Sequence, residues 1–445
     1  QTKEGNSNQM QGELDLGLTS GKLTLEGPLK KEKGSFFVTG RRAFFDFYSI
    51  PFTTRLRRNE GGDGYTGYFF YDLNAKINYQ VSQKDRVYLS FYRGKDDYQD
   101  VYEQSRISND TVIFVADNEQ VGWGNDISAL RWNHQFSDRL FGNLLATYSR
   151  YYYNSEDFVD LEIIDSTRQA LRNVLLFKYD SEVKDQSVKA DFDFATRQNH
   201  FLRFGLSATR HRFQPGVLHF SQETVIDSIL TDTLGDWQKR VLESVELDAY
   251  LQDEFRPSDF VTINLGLRAS ALAVDGTLHF SPQPRLLVRF FEKEKLSFSA
   301  SACRMSQFLH LLSPNSIGLP KDLWVSATRR VPPQHSWQFA GGIHRKLGNG
   351  IEASVEGYYK TMRNLLNFSG SGLDSVDFQN WQDLVSIGTG WAYGLEFLLK
   401  KESGKFGGWL SYTLGWTERK FGTEINGGES FPHRLDRRHN LNLQL

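Results

Sequence analysis

The residues best suited to grip a polar solute are charged side chains that fall on one side of alternating segments. In Leu202-Arg203-Phe204-Gly205-Leu206-Ser207 apolar and polar types alternate, and Arg203 belongs to the polar set. Arg268 belongs to the polar set of residues 261–270, and Glu352, Glu356 and Lys360 to that of residues 351–360. Cations and carboxylates held on one wall can bind a ligand through charge-assisted hydrogen bonds, with no covalent step. The plainer expectation for them is a solvated or mutually paired surface. Asp436-Arg437-Arg438-His439 mixes both signs at the start of a strand pattern and suits a salt-bridged anchor. Asp96, Asp97 and Asp100 carry calcium-ligand chemistry but lack the EF-hand spacing and its glycine, so a solvated acidic loop is expected. His200, His211, His219, His310 and His439 make no HxxxH or HExxH spacing, so no metal site is expected. No nucleophile elbow, phosphate loop or paired-carboxylate motif is present, so the expectation is not an enzyme and no cofactor.

Those side chains need strands to hold them. Side chains alternate across a strand, so Val261, Ile263, Leu265, Leu267 and Ala269 share one face, and Thr262, Asn264, Gly266, Arg268 and Ser270 the other. Helical periodicity is almost absent. The pattern predicts about seventeen strands, each bounded to within about 2–4 residues, at 12–27, 35–48, 66–81, 85–95, 125–137, 139–153, 183–195, 200–211, 242–256, 259–272, 282–291, 294–306, 335–346, 350–362, 386–401, 405–419 and 434–445. Their connections alternate between short and long. The long ones are 49–65, 96–124, 154–182, 212–241, 307–334, 363–385 and 420–433, and 273–281 is a modest exception. This predicts an all-β, antiparallel up-and-down meander with tight turns at one end and large loops at the other. A Greek-key sandwich would not sort its loops this way.

Two orientations fit such a strand. A soluble sandwich turns its apolar face to a core, and a membrane barrel turns it to lipid. Aromatics gather at strand ends (Phe44, Phe45 and Tyr48; Phe69, Phe70 and Tyr71; Tyr151, Tyr152 and Tyr153), as in the girdles of a transmembrane β-barrel. The 445 residues carry a net charge of −2 and are 39% hydrophobic, so nothing in bulk charge points to nucleic acid. A mean hydropathy of −0.49 does not argue against the membrane, because a barrel strand needs only ~9–11 residues and half of them face water. Cys303 is the one cysteine, so no intramolecular disulfide forms. The N-terminus shows no charged region followed by an apolar run, so no signal peptide is expected within it. An odd strand count and a chain that stops in mid-pattern at Leu445 predict that residues 1–445 are a partial barrel domain.

Several short motifs follow one another along the whole chain. They are Gly27-Pro28-Leu29-Lys30 with Ser35-Phe36-Phe37 and Arg41-Arg42; Gln283-Pro284-Arg285; and residues 307–312. Residues 393–401, Gly408-Trp409-Leu410-Ser411-Tyr412-Thr413 and Asp436-Arg437-Arg438-His439-Asn440-Leu441 complete the series. In order and spacing they resemble the barrel of TonB-dependent outer-membrane receptors, in particular the Bacteroidota-type group with a carboxypeptidase-regulatory-like domain.

The resemblance implies a barrel of about 22 strands around a plug. One strand upstream and four downstream would complete the count, and the plug and the TonB-binding box lie outside this sequence. It implies multi-pass residence in the cell outer membrane. The function it implies is TonB-driven uptake of a scarce ligand such as an iron chelate, a glycan or a peptide. An ungated porin or a scaffold for a surface complex is the alternative, and a soluble glycan-binding β-sandwich the second. The implied partners are TonB through the plug region, outer-membrane lipid and lipopolysaccharide, and a surface lipoprotein, with no nucleic acid. Five tripeptides resemble the Asp-Ser/Thr acceptor of Bacteroidota O-glycosylation, with hydroxyls at Thr111, Ser166, Ser228, Thr233 and Ser375. Asp, Ser and Thr are also ordinary loop residues.

Overall fold

The computed structural model describes residues 3–108, 111–164, 170–196, 199–226, 229–236, 241–292, 295–312, 323–368, 378–383 and 385–445. It is one antiparallel meander. The strands are β1 (Gln11–Leu16), β2 (Ser20–Lys30), β3 (Gly34–Ala43), β4 (Gly62–Gln80), β5 (Asp85–Ser108) and β6 (Thr111–Gln135). They continue with β7 (Leu140–Ile164), β8 (Ala170–Ala195), β9 (His200–Ile226), β10 (Ile229–Asp236), β11 (Leu242–Ser258) and β12 (Val261–Val274). Then come β13 (Thr277–Glu292), β14 (Leu296–Gln307), β15 (Leu309–Leu312), β16 (Leu323–Ser326), β17 (Gln334–Gly348) and β18 (Ile351–Phe368). The last are β19 (Val385–Lys401), β20 (Gly408–Lys420), β21 (Phe431–Pro432) and β22 (His439–Gln444). Twenty of these form one sheet, and β15 and β16 form a separate two-stranded sheet. Within the large sheet β10 and β21 are short side pairings on β9 and β20. β1 and β22 each pair along one edge only among the described residues.

The two faces differ as alternation predicts, and the apolar one is turned outward. Leu265 is 60% exposed, whereas Ser270 on the opposite face is 1% exposed. Among the described residues no second sheet covers Leu265, which removes the sandwich. Leu89, Leu130, Ala146, Val188, Ala208 and Leu247 stand directly opposite one another across six adjacent strands on the outward face. The inward face carries Ser35 and Asn78, joined by a 2.6 Å hydrogen bond, and Glu26, which accepts from Lys3 Nζ at 2.7 Å and from the Asn6 amide at 3.0 Å. Residues 3–6 therefore lie along the lumen side of β2–β5, where Glu4 also meets Arg86 at 2.9 Å.

Four expectations need correction. The strand expected at 12–27 is a hairpin of β1 and β2, closed where the Gly17 amide donates to the Ser20 carbonyl at 2.9 Å. The connection expected at 273–281 is the two-residue turn Asp275-Gly276, both at positive φ (46° and 70°), which the Asp-Gly pair favours. The segment expected as loop 49–65 begins with a helix, α1 (Phe45–Asn59). β3 ends at Arg42 and Ala43, opposite Tyr71, so the upper edge of β4 has no strand beside it. The helix covers that edge: the Thr66 amide donates to Thr53 Oγ1 at 2.9 Å, and Arg57 donates to the Tyr65 carbonyl at 3.3 Å. Finally, most of 96–124, 154–182 and 212–241 is not loop. β5 to β9 are 24 to 27 residues long and continue far above the ~9–11 residues that lipid requires.

Candidate functional site

The inward face of β9 to β17 carries a continuous polar chain. Asp248 accepts from Ser207 Oγ at 2.9 Å and from Arg268 Nε at 3.0 Å, and its second oxygen lies 2.8 Å from Arg268 Nη2. Ser270 Oγ also donates to Asp248 and itself accepts from Gln283 Nε2 at 2.9 Å. The Ser306 amide donates to Gln283 Oε1 at 3.2 Å, and Ser306 Oγ lies 2.8 Å from His335 Nδ1. Alternation alone produces this chain: in-register neighbours on a polar face sit about 4.5–5.5 Å apart at Cβ, within reach of one hydrogen bond. Four residues beyond Ser207 on β9, His211 stands between Asp185 (2.7 Å from Nδ1) and Glu246 (3.5 Å from Nε2).

The five charged residues singled out from the sequence do not converge. Arg268 is engaged by Asp248. Arg203 lies 3.6 Å from Asp193 and covers the Phe201 ring at 4.9 Å. Glu352 is 3.6 Å from His344, Glu356 is directly opposite Glu396, and Lys360 is opposite Gln338 and Ala392. Arg203 and Glu352 sit beside the short turns, at the end of the wall away from the long strands. β13, β14 and β17 separate Arg268 from the other three. The aspartates of 96–100 also part company. Asp96 and Asp100 face inward, bonded to Tyr68 and Arg57, and Asp97 faces outward, 2.6 Å from Lys95. Among the described residues no group of three or more His, Cys, Asp or Glu is placed to hold a metal.

Sequence reasoning missed the inner wall of the mouth because that stretch was taken as loop. Tyr68 donates to Asp96 at 2.5 Å and stacks on Trp123 at 6.4 Å, and Tyr153 meets Tyr179 at 5.8 Å. The signal was present in Tyr98-Gln99-Asp100-Val101-Tyr102, whose even positions share the inward face. The wall there is aromatic and acidic.

The described parts of the connection from β14 to β17 pack against the inward face of the wall. Phe308 and Ala327 bury Leu272 and Val274 on the inward face of β12, and Leu312, Val325 and Val331 pack with Leu366 and Trp381. The segment is tied down by His279 Nε2 to the Thr328 carbonyl (3.1 Å), by Thr328 Oγ1 to Gln382 (3.0 Å) and by Arg330 to Asp383. Inside it His310 is fully buried. Its Nδ1 accepts from Gln334 at 3.0 Å, which leaves the proton on Nε2, where it finds no partner. Burial pulls the His310 imidazole down to about 4. The neutral ring is the one this packing accepts, so its contribution is complete above the ordinary histidine value and is lost as pH falls from about 6.5 towards 4. At pH 5 the loss should be about 2 kcal/mol. Once the slower intrinsic exchange at low pH is divided out, amide protection at residues 309–312 and 323–326 should then be roughly 30-fold lower than at pH 7.5, and His310→Phe should abolish the difference.

Thr111 opens β6 opposite Ser108, and Thr233 lies in β10; Ser166, Ser228 and Ser375 fall outside the described residues.

Residues 45–445 match the family described as TonB dependent receptor-like, beta-barrel. No curated protein sequence is significantly similar. Among solved structures, the ferripyoverdine receptor of Pseudomonas aeruginosa is 12% identical, with a TM-score of 0.61 over 99% of this chain and 59% of that one. The siderophore receptor PirA from Acinetobacter baumannii is 14% identical, with a TM-score of 0.58 over 99% of this chain and 66% of that one. The RagAB peptide importer is 9% identical, with a TM-score of 0.52 over 94% of this chain and 51% of that one. The chain thus spans about half to two thirds of the length of these neighbours. An outward apolar face, an inward polar one and a meander with unlike ends agree with the family match: the chain belongs to the TonB-dependent receptor-like β-barrel family, whose members lie in the outer membrane.

Proposed function

We propose that this wall is the channel of a TonB-driven importer that carries a scarce ligand across the outer membrane. The observation that carries the proposal is the hydrogen-bonded polar lining from Ser207 to His335 behind an apolar outer face. Such a lining gives a plug a hydrophilic surface to slide against. The same reading includes a plug domain that meets residues 3–6, and further strands that cover the edges of β1 and β22. Unpaired edges in lipid leave backbone groups unsatisfied at several kcal/mol each. Ligand classes follow the structural neighbours, siderophore receptors and a peptide importer. The test is uptake, in cells making the whole protein, of ferric-siderophore and oligopeptide mixtures. Uptake should stop when a protonophore collapses the gradient or TonB is deleted. Uptake that survives both treatments identifies an ungated porin instead.

The Asp-Ser/Thr sites are part of the proposal. The purified protein should be heavier than its bare sequence by whole glycan masses, and Thr111→Ala with Thr233→Ala should remove part of that excess. A mass equal to the bare sequence ends this part.

A further inference from the structure

Between β13 and β14 the backbone ladder stops early. β13 pairs with β12 at fourteen positions and β14 with β17 at twelve, but β13 and β14 pair at only eight, from Glu292 and Leu296 up to Arg285 and Cys303. Above that point the same register would set Pro284 against Arg304 and Pro282 against Ser306. The Ser306 amide reaches towards β13, where it donates to Gln283 Oε1 at 3.2 Å. Even-numbered amides of β14 therefore face this seam, and at these pairs each strand should give one N–H and take one. A proline has no N–H to give, so the β13 donor is missing at both positions. The Gln283-Pro284-Arg285 motif thus lies where the two strands fork. Side chains take up what the backbone leaves: Arg304 Nη1 donates to the Pro282 carbonyl at 2.7 Å, and the Ser281 and Ser306 hydroxyls are hydrogen-bonded to each other.

The connection from β14 to β17 ties the two sides of the fork together. Phe308 and Ala327 pack on Leu272 and Val274 of β12, to one side, and Leu312, Val325 and Val331 pack with Leu366 of β18, to the other. We propose that the wall opens sideways between β13 and β14, with this connection as the latch. The ladder from Glu292 and Leu296 to Arg285 and Cys303 is the hinge. The bonds among Ser281, Pro282, Gln283, Arg304 and Ser306 hold the closed position. A seam held by a few side-chain bonds opens locally more readily than a continuous ladder. With the outward face against lipid, eight paired positions fall short of the ~9–11 residues that cross it, so the fork begins inside the membrane and runs out through its outer edge. Opening there widens the lumen and joins it to the outer leaflet.

The test uses the full-length protein in lipid vesicles, with Cys303→Ser so that spin labels attach only where a cysteine is introduced. Labels at Phe280→Cys and Gln307→Cys mark the two lips, and electron paramagnetic resonance reads their separation. Two separations are expected, the longer one from the parted seam. Labels at Phe290→Cys and Phe298→Cys, opposite one another on the paired part, should give one. Phe308→Ala weakens the latch and should raise the longer share several-fold. Pro282→Ala with Pro284→Ala restores both donors and should lower it several-fold. A single short separation that Phe308→Ala leaves unchanged overturns the proposal. So does a longer share that the proline replacements do not reduce, or a second separation of equal share at the paired part, which would mark general loosening of the sheet. If the proline variant does not fold, Gln283→Ala, which removes the acceptor of the Ser306 amide, should raise the longer share; no change counts against the proposal. The readout needs no transported solute, so it is independent of the importer reading.

Discussion

Leu267→Arg is expected to destabilise the barrel by about 2–4 kcal/mol, while Asn264→Arg is expected to be nearly neutral. Both lie in the middle of β12, three residues apart, with the same neighbours β11 and β13. They differ in which way they point. Leu267 is 52% exposed on the apolar face, opposite Leu251 and Pro284, where an arginine would have to desolvate in hydrocarbon or bend towards a headgroup. Asn264 is on the inward face between Leu287 and Glu254, and a new guanidinium could pair with Glu254. Urea unfolding in lipid vesicles measures both. Equal losses at the two positions would mean that hydrocarbon does not cover this face.

Asp248→Ala should cost about 1.5–3 kcal/mol and loosen the wall over several strands. Asp248 is 9% exposed and accepts from Ser207, Arg268 and Ser270, so its removal strands three donors together. Arg268 is 40% exposed and recovers some hydration, which keeps the loss below that of a fully buried pair. Asp248→Asn retains an acceptor and should lose less. The same unfolding measurement checks the size. Amide exchange across β11 and β12 checks that the effect spreads along the chain of hydrogen bonds; a loss confined to Asp248 itself would show that the links act separately.

Most of the wall was legible because a membrane barrel writes its orientation into period-two alternation. The strand expected at 259–272, with apolar odd positions from Val261, became β12 at Val261–Val274. The misses have separate physical causes. Gly17 closes a turn inside an apolar-looking run, so two short strands read as one. Residues 45–59 form a helix that covers an exposed strand edge, a demand that comes from the shortness of β3 rather than from the segment's own periodicity. Above the membrane both faces of β5 to β9 meet water, the apolar half of the alternation fades, and long strands look like loops. The polar set was correctly assigned to one face, yet no signal along the chain distinguishes an arginine that is free from one, like Arg268, that a carboxylate on the next strand already holds. Partners across a sheet are fixed by register, and register is fixed by turns whose bounds were uncertain by about 2–4 residues.

Strand length has a consequence for traffic. β5 to β9 run to 24–27 residues, but β12 and β14 have only 14 and 12. The difference of roughly ten residues raises one flank by about 30 Å over the other. In the importer proposed above, a solute from outside would meet a tall parapet on one side and a low sill on the other, with the residues packed against the inner wall springing from the sill. Entry would then be sided: arrivals would come over the low flank, with the aromatic, acidic inner surface of the parapet as their backstop.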